Sequence, residues 1–497
     1  MTLSNAVIHS GRRRRLVPCF LAALSALSLG RSARAEVSEA APRRDEAYDI
    51  MNTLSGRGLH DLKNERWNLY GQATWIGSYK QAFHADYTNL NGSTNSLLPT
   101  AEQSFTGSVT MYLGARLWRG AELYWVPEMI AERPLSHLAG LGSTIQNFEL
   151  QKNGAPAASV YSSRLFLRQT FSLGGEKEEK PSDPQQLATT ETARRIVLTA
   201  GNFSILDFFD KNAFSGDLRR QFLNMAFLSY AAYDFAADAR GYAWGGVAEL
   251  YWDKFSVRVG RITPPKDPNQ LAVDFRLDKF YGDQVEVEHN HTLLGKAGAV
   301  RILGYSNREN MGSFEEATSI HAQDRTKNAT TCTGFNYGSN NTSAPDLCWA
   351  RRPQNKVGIG LNVEQHITEE IGVFLRAMYS DGRTEVYSYT STDRSLSFGA
   401  LGRGTLWHRP LDITGIGMGV GLISDTHATF LNQGGVDGFI GDGKINVAPE
   451  TVNEVFYSVN VASNAWISGD YQRITNPAYN ADRGPVDIFG ARFHAEF

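Results

Sequence analysis

Charged side chains recur on one face of strand-like segments in this chain: Arg116, Glu122, Glu128, Arg164, Arg168, Arg258, Glu286, Glu288, Glu364, Arg376, Glu454 and Asp470 each stand opposite an apolar face. Both signs occur in similar number, with Tyr and Trp interspersed. Guanidinium and carboxylate groups hydrogen-bond hydroxyls, and aromatic rings stack on the apolar faces of ring-shaped polyols, so the mixture suits neutral, hydroxyl-rich solutes. A phosphate pathway would need a mainly basic lining. Taken singly, each charge also reads as a solvated wall residue or as half of an ion pair across a lumen.

Other chemistry is poorly served. A nucleophile needs a base and an orienting group beside it, and His289, His291, His408, His427 and His494 show no local nucleophile elbow. No metal site or cofactor is expected. Asp437 to Asp442 lack the spacing of a calcium loop and read as turn chemistry. The stretch GIGMGVG sits within a strand pattern and opens no helix, which is not a dinucleotide fingerprint.

These residues are positioned by strands. From Trp67 to Lys80, Trp67, Leu69, Ala73, Trp75 and Tyr79 alternate with Asn68, Gln72, Thr74, Ser78 and Lys80. Phe105 to Trp118 repeats the pattern, a turn at Arg119-Gly120 reverses the chain, and Ala121 to Met129 sets Leu123 and Trp125 against Glu122, Tyr124 and Glu128. The chain ends with Phe489, Ala491, Phe493, Ala495 and Phe497 alternating with Gly490, Arg492, His494 and Glu496. From Ile413 to Ile423, Ile416, Met418, Val420 and Leu422 share one face. Gly415, Gly417, Gly419 and Gly421 share the other, where they either leave room for a loop or solute or merely relieve crowding.

The N-terminus reads as an export signal: Arg12 to Arg15, an apolar run from Leu16 to Leu29, and Ala33-Arg34-Ala35, with cleavage expected between Ala35 and Glu36. After Leu29 no apolar run approaches the ~20 residues that a membrane-spanning helix needs, yet aromatic residues make up 11% of the chain. A closed barrel of alternating strands meets both facts. The first 35 residues hold arginines and no acid, so with 49 basic and 52 acidic residues overall the remainder is distinctly acidic, which argues against nucleic-acid binding. Exported, the chain keeps Cys332 and Cys348 around a polar segment, and an oxidising compartment makes a loop-stapling disulfide the leading reading.

Short turns at 119-120, 253-254, 295-296, 368-370, 408-410 and 463-464, with a longer polar link from 174 into the 190s, alternate with long loops near 81-103, 131-159, 204-236, 265-280, 307-354, 381-394, 425-449 and 476-485. Short turns belong to the periplasmic side and long loops to the outside. The count predicts an all-β fold, a sixteen-stranded antiparallel transmembrane barrel, with eighteen strands as the alternative. The expected organisation is a cleavable signal over 1-35, a short periplasmic segment over 36-66 and the barrel with its extracellular loops over 67-497.

Several blocks resemble one family in order along the chain: GARLWRGAELYWVPE from Gly114 to Glu128, DFFDKNAFSGDLRRQFLNMAF and YDFAADARGYAWGG between Asp207 and Gly246, and DYQRITNPAYNADRGPVDIFGARFHAEF from Asp470 to Phe497. With LFLRQTF from Leu165 and RPLDITGIG from Arg409, they are similar to the carbohydrate-selective outer-membrane porins of OprB type. The chain departs at Trp125 and Val126, where the family often has Phe and Asn, and in its Cys-containing loop. The resemblance implies a sixteen-stranded barrel, monomeric or trimeric, in a Gram-negative outer membrane, passing glucose and related sugars passively. Its partners would be carbohydrate solutes and outer-membrane lipid. Alternative functions are a general diffusion porin and an outer-membrane binding or adhesion barrel. A barrel enzyme is the least supported.

Overall fold

Side chains that alternate between two environments at a period of two require extended chain, and a sheet with apolar residues on one face must find something to cover its edges. The computed structural model describes residues 50–497. The expected signal segment 1–35, its cleavage point between Ala35 and Glu36, and residues 36–49 of the expected lead-in lie outside the described residues.

Sixteen strands form one closed sheet in which every pair is antiparallel and, apart from the closing pair of first and last strands, every neighbour is next in sequence. They are β1 Trp67–Lys80, β2 Glu102–Trp118, β3 Ala121–Arg133, β4 Ser159–Lys180, β5 Thr189–Phe203, β6 Ala243–Trp252, β7 Phe255–Ile262, β8 Tyr281–Leu293, β9 Lys296–Gly312, β10 Arg351–His366, β11 Ile371–Ser380, β12 Arg394–Arg403, β13 Ile413–Leu422, β14 Glu450–Ala462, β15 Ala465–Thr475 and β16 Val486–Glu496. The count is sixteen rather than eighteen, and the long and short connections fall where alternation placed them. No helix among the described residues is long and apolar enough to cross a membrane.

Closure joins β1 to β16 with Trp75 opposite Phe493. The Gly71 and Phe497 backbones exchange hydrogen bonds of 2.7 and 3.0 Å. A Cβ at Gly71 would lie 2.1 Å from the Phe497 ring, so the terminal ring packs directly on the glycine. Trp75, Trp125, Ile416 and Phe493 are exposed on the outer wall, whereas Thr74, Tyr124, Glu128 and Arg492 on the inner wall are buried. Apolar residues outside and polar ones inside is the inverse of a soluble barrel and the arrangement a lipid surround demands.

One connection differs from the sequence reading. The polar link after 174 is mostly strand: Lys177 to Lys180 pair with Thr189 to Thr192, and only residues 181–188 turn. Its charges kept it from looking like a strand; within it Lys180 pairs with Glu178, and on the facing strand Arg195 pairs with Glu191. Before the barrel, helix α1 Ile50–Gly56 forms part of the lead-in; α2 Phe314–Gln323 and α3 Asp425–Asn432 lie in outer loops. Phe314, Leu347, Phe430, Ile440 and Tyr479 give those loops a small core of their own.

Candidate solute pathway

A barrel of this size has a wide lumen, and what fills it decides what can pass. Here the filling is the loop 204–242, too rich in Phe, Tyr and Ala to lie in water. Its Phe209, Phe214, Phe222, Leu223, Phe227, Tyr230, Tyr233 and Phe235 join wall residues Phe374, Phe456 and Val452 in the main core. The glycines of β13 receive it: a Cβ at Gly417 would lie 2.8 Å from Phe227, and one at Gly419 would lie 2.8 Å from Ala226. Of the two readings of that stripe, room for a loop is the one the structure shows. Residues of the loop before β4 follow, with Ser143 seated at Gly421 and the Phe148 backbone bonded to Leu223 at 3.1 Å.

An inserted loop brings backbone N–H groups into a space with little water, and each needs an acceptor. The wall supplies carboxylates. Glu286 accepts from the Asp210 N–H at 2.8 Å, Glu364 from Ala213 at 2.7 Å, and Glu454 from Leu223 at 2.6 Å and Asn224 at 3.0 Å. Arg376 Nε donates to Asp210 at 3.0 Å, and the same carboxylate accepts from the Ser229 hydroxyl and the Tyr230 N–H. Behind the loop, Arg258 bridges Glu249, Glu286 and Glu288 at 2.9 to 3.2 Å, and Arg301 joins Glu288 to Glu364. Asp470 lies beside Gln472, which donates to it at 2.9 Å. Thus Arg258, Glu286, Glu288, Glu364, Arg376 and Glu454 belong to the wall that grips the loop.

The other charges gather where β2, β3 and β4 face the loop. Arg164 makes two bonds of 2.7 Å to Asp207, and Arg116 pairs with Glu122 at 3.2 Å. Glu128 accepts from Lys152 at 2.9 Å and from the Tyr161 hydroxyl, with Arg219 at 3.6 Å; Arg219 also pairs with Glu149 at 3.0 Å. Burial would depress the Lys152 ammonium, but Glu128, Tyr242 and Glu149 together more than offset it, so Lys152 holds its proton above the ordinary lysine range. Cations also lie over rings: Arg240 over Tyr161 at 4.1 Å, Arg164 over Tyr242 at 5.2 Å, Arg168 over Tyr124 at 5.2 Å and Arg195 over Tyr251 at 3.9 Å. Most of these side chains keep part of their surface open: Arg116 24%, Arg219 17%, Arg164 15%. Among the described residues no group of three or more His, Cys, Asp or Glu is placed to hold a metal ion.

The model of the carbohydrate-selective porin, OprB family, matches residues 94–497. This chain belongs to that family. A structure of Pseudomonas putida OprB, obtained at high pH, superposes with a TM-score of 0.65 at 13% identity, covering 89% of this chain and 97% of that one. Weaker likenesses are to OccK2 (OpdF) of Pseudomonas aeruginosa, TM-score 0.42 at 9% identity over 87% and 97% of the two chains, and to OmpT of Vibrio cholerae, TM-score 0.43 at 11% identity over 87% and 97%. No curated protein sequence matches the chain. The OprB-family membership and the closed barrel make it a bacterial outer-membrane β-barrel.

In this OprB-family porin strand parity puts Arg116, Glu122, Glu128, Arg164 and Arg168 on the inner face but does not reveal the loop residues that meet Glu128 and Arg164: Lys152, Arg219, Asp207 and Tyr242. The signal was present in the loop's apolar density and its Arg219-Arg220 pair, which an exposed loop would not combine. Cys332 and Cys348 form a disulfide in the outer loop 313–350.

Proposed function

We propose that the channel passes neutral sugars such as glucose passively, along the path between β2–β4 and the inserted loop. The observation that carries this reading is the row of cations over tyrosine rings, Arg240 on Tyr161, Arg164 on Tyr242 and Arg168 on Tyr124. Tyr124 and Tyr242 are buried behind their arginines, while Arg164, Arg168, Arg240 and Tyr161 keep part of their surface open, so a solute meets N–H donors held in place by the rings. Carboxylates neutralise several of the cations, so the path favours hydroxyls over a full negative charge.

Membership of a carbohydrate-selective porin family supports the substrate class. It also supports a channel without enzymatic activity, since passive permeation asks for no nucleophile or base. Each barrel encloses its own path, so a monomer would suffice and a homotrimer in outer-membrane lipid would only multiply it.

Liposomes carrying the purified chain test the reading by swelling. Faster swelling with glucose than with amino acids of similar size is the expected result; equal rates would reduce the protein to a general diffusion porin, and no swelling would turn attention to its outer loops as a binding surface.

A further inference from the structure

The periplasmic mouth of the barrel is partly covered by the chain's own hairpin. β3 pairs with β4 no further than Gln169, and β6 meets β5 only from Arg194 onward. Beyond those points β4 and β5 pair with each other alone. The hairpin is bent there. The register slips on both sides of Gly174, and Gly174 and Gly175 have φ values of 95° and 92°, a conformation glycine reaches without strain.

The bend carries the turn 181–188 onto the inner faces of β1 to β4. Asn68 donates to the Gln186 carbonyl at 2.8 Å, and the Tyr70 hydroxyl to Ser182 at 2.9 Å. The Leu187 N–H donates to the Tyr124 hydroxyl at 3.0 Å, and the Leu187 side chain is fully buried. Arg116 gives an N–H to the Ala188 carbonyl at 3.0 Å, and Arg168 one to the Gln185 carbonyl at 2.9 Å. From the other side the lead-in reaches up with Glu65, itself fully buried, which accepts from the Ser182 hydroxyl at 2.7 Å and from the Ala188 N–H. His60 Nε2 lies 3.0 Å from the same carboxylate.

We propose that the turn 181–188 is an exit lid on the solute path and that Glu65 is the positioning residue that holds it in the mouth. The inference rests on the channel reading of the barrel and adds to it a second restriction, separate from the loop inserted higher in the lumen. It also couples lid and cargo. Arg116 and Arg168 spend N–H donors on turn carbonyls, so a sugar hydroxyl arriving at either arginine competes with the lid for the same donors.

The test is planar-bilayer recording of the full chain in potassium chloride, with a trisaccharide added to one side at a time. Glu65→Ala, folded by the criterion of heat-resistant barrel migration, should raise ionic conductance roughly twofold and let the trisaccharide block from the periplasmic side, with extracellular block unchanged. Glu65→Gln keeps one oxygen acceptor and should stay close to the parent. If Glu65→Ala does not fold, the pair Asn68→Ala and Ser182→Ala removes seats of the turn while leaving the Glu65 carboxylate in place, and should give the same sided change. Parental conductance and parental sidedness in a folded variant of either kind would overturn the lid. Ions carry this readout, so a failure of sugar selectivity in liposomes would count against the channel's proposed cargo and leave the lid comparison intact.

Discussion

Arg376 on β11 and Asp210 at the start of the inserted loop form a 3.0 Å ion pair with both side chains sealed from water, 1% and 0% exposed. Through this pair the wall holds the loop that narrows the lumen. Breaking one partner of a buried pair costs about 3–5 kcal/mol, because the remaining charge is left uncompensated. Asp210→Ala should therefore loosen the loop, raise single-channel conductance and widen the solute size limit. Asp210→Asn combined with Arg376→Met leaves no stranded charge and should cost less than Asp210→Ala alone. Bilayer conductance and thermal unfolding of the two variants decide it, and a double variant less stable than the single one would contradict the account.

The glycines of β13 predict an effect of added volume. A Cβ at Gly417 would stand 2.8 Å from Phe227. Gly417→Val should cost about 1–3 kcal/mol of overpacking and displace the loop at Phe227. The outward neighbour Met418 meets no loop, and Met418→Val should be nearly silent. Melting temperatures of the refolded variants compare the two.

Arg164 and Arg168, which lie over rings, and Arg116 beside Glu122 should matter to sugars more than to salt. Replacing Arg164, Arg168 or Arg116 by Ala removes donors worth about 0.5–1.5 kcal/mol each, which weakens glucose block of single-channel current by roughly two- to tenfold. Arg164→Ala also strands Asp207, to which it makes two bonds of 2.7 Å, and should add cation preference. Unchanged block in all three variants would remove them from the path.

The disulfide predicts a local effect. Cys332 and Cys348 are 16 residues apart, and closing a loop of about 15 residues restricts the unfolded chain by about 3 kcal/mol. Serine at both positions should speed proteolysis within residues 313–350 and leave glucose permeation as it was. A loss of permeation would mean that the staple acts on the lumen.

The outer loops should respond to pH through Asp437. Burial pushes its carboxyl up to about 7, opposed by His427, whose Nε2 lies 3.3 Å away, and by Lys356; Glu385 and Asp393 add to the rise. A carboxyl raised on folding keeps a proton the unfolded chain has lost, so its contribution is fullest below the ordinary value of 3.8 and falls as pH climbs to about 7. Asp393 runs oppositely. Burial would raise it, but His427 holds it below 3.8, so its contribution is present above that value and lost in acid. Asp437→Asn should flatten the decline between pH 4 and 7 in hydrogen-exchange protection of residues 423–449; an unaltered profile would clear Asp437 of the effect.

Local periodicity determined much of this protein. Two-residue alternation from Trp67 to Phe497, broken by turns of two kinds, specified an antiparallel barrel of sixteen strands and which way each strand faces, because a one-residue slip would turn every apolar side chain toward water. The order of the family blocks carried its class. The sequence could also say that Arg258, Glu286 and Arg376 point inward, since that follows from parity along a strand.

What those residues do inside was decided only by the tertiary structure. Asp210 and Arg376 are separated by 166 positions, Leu223 and Glu454 by 231, and nothing local relates them. Whether an inward carboxylate meets solute or a loop's backbone N–H depends on whether a loop occupies that part of the lumen. Residues 204–242 enter because burying their rings against the glycines of β13 gains more than leaving them in water, and the wall's carboxylates satisfy the N–H groups they bring. The same holds at the mouth, where a polar segment read as a plain link is a bent hairpin seated on Asn68, Tyr124 and Glu65. Strand parity is set between neighbours in sequence; the division of the lumen into gripping wall and open path is set between residues that meet only after the barrel closes.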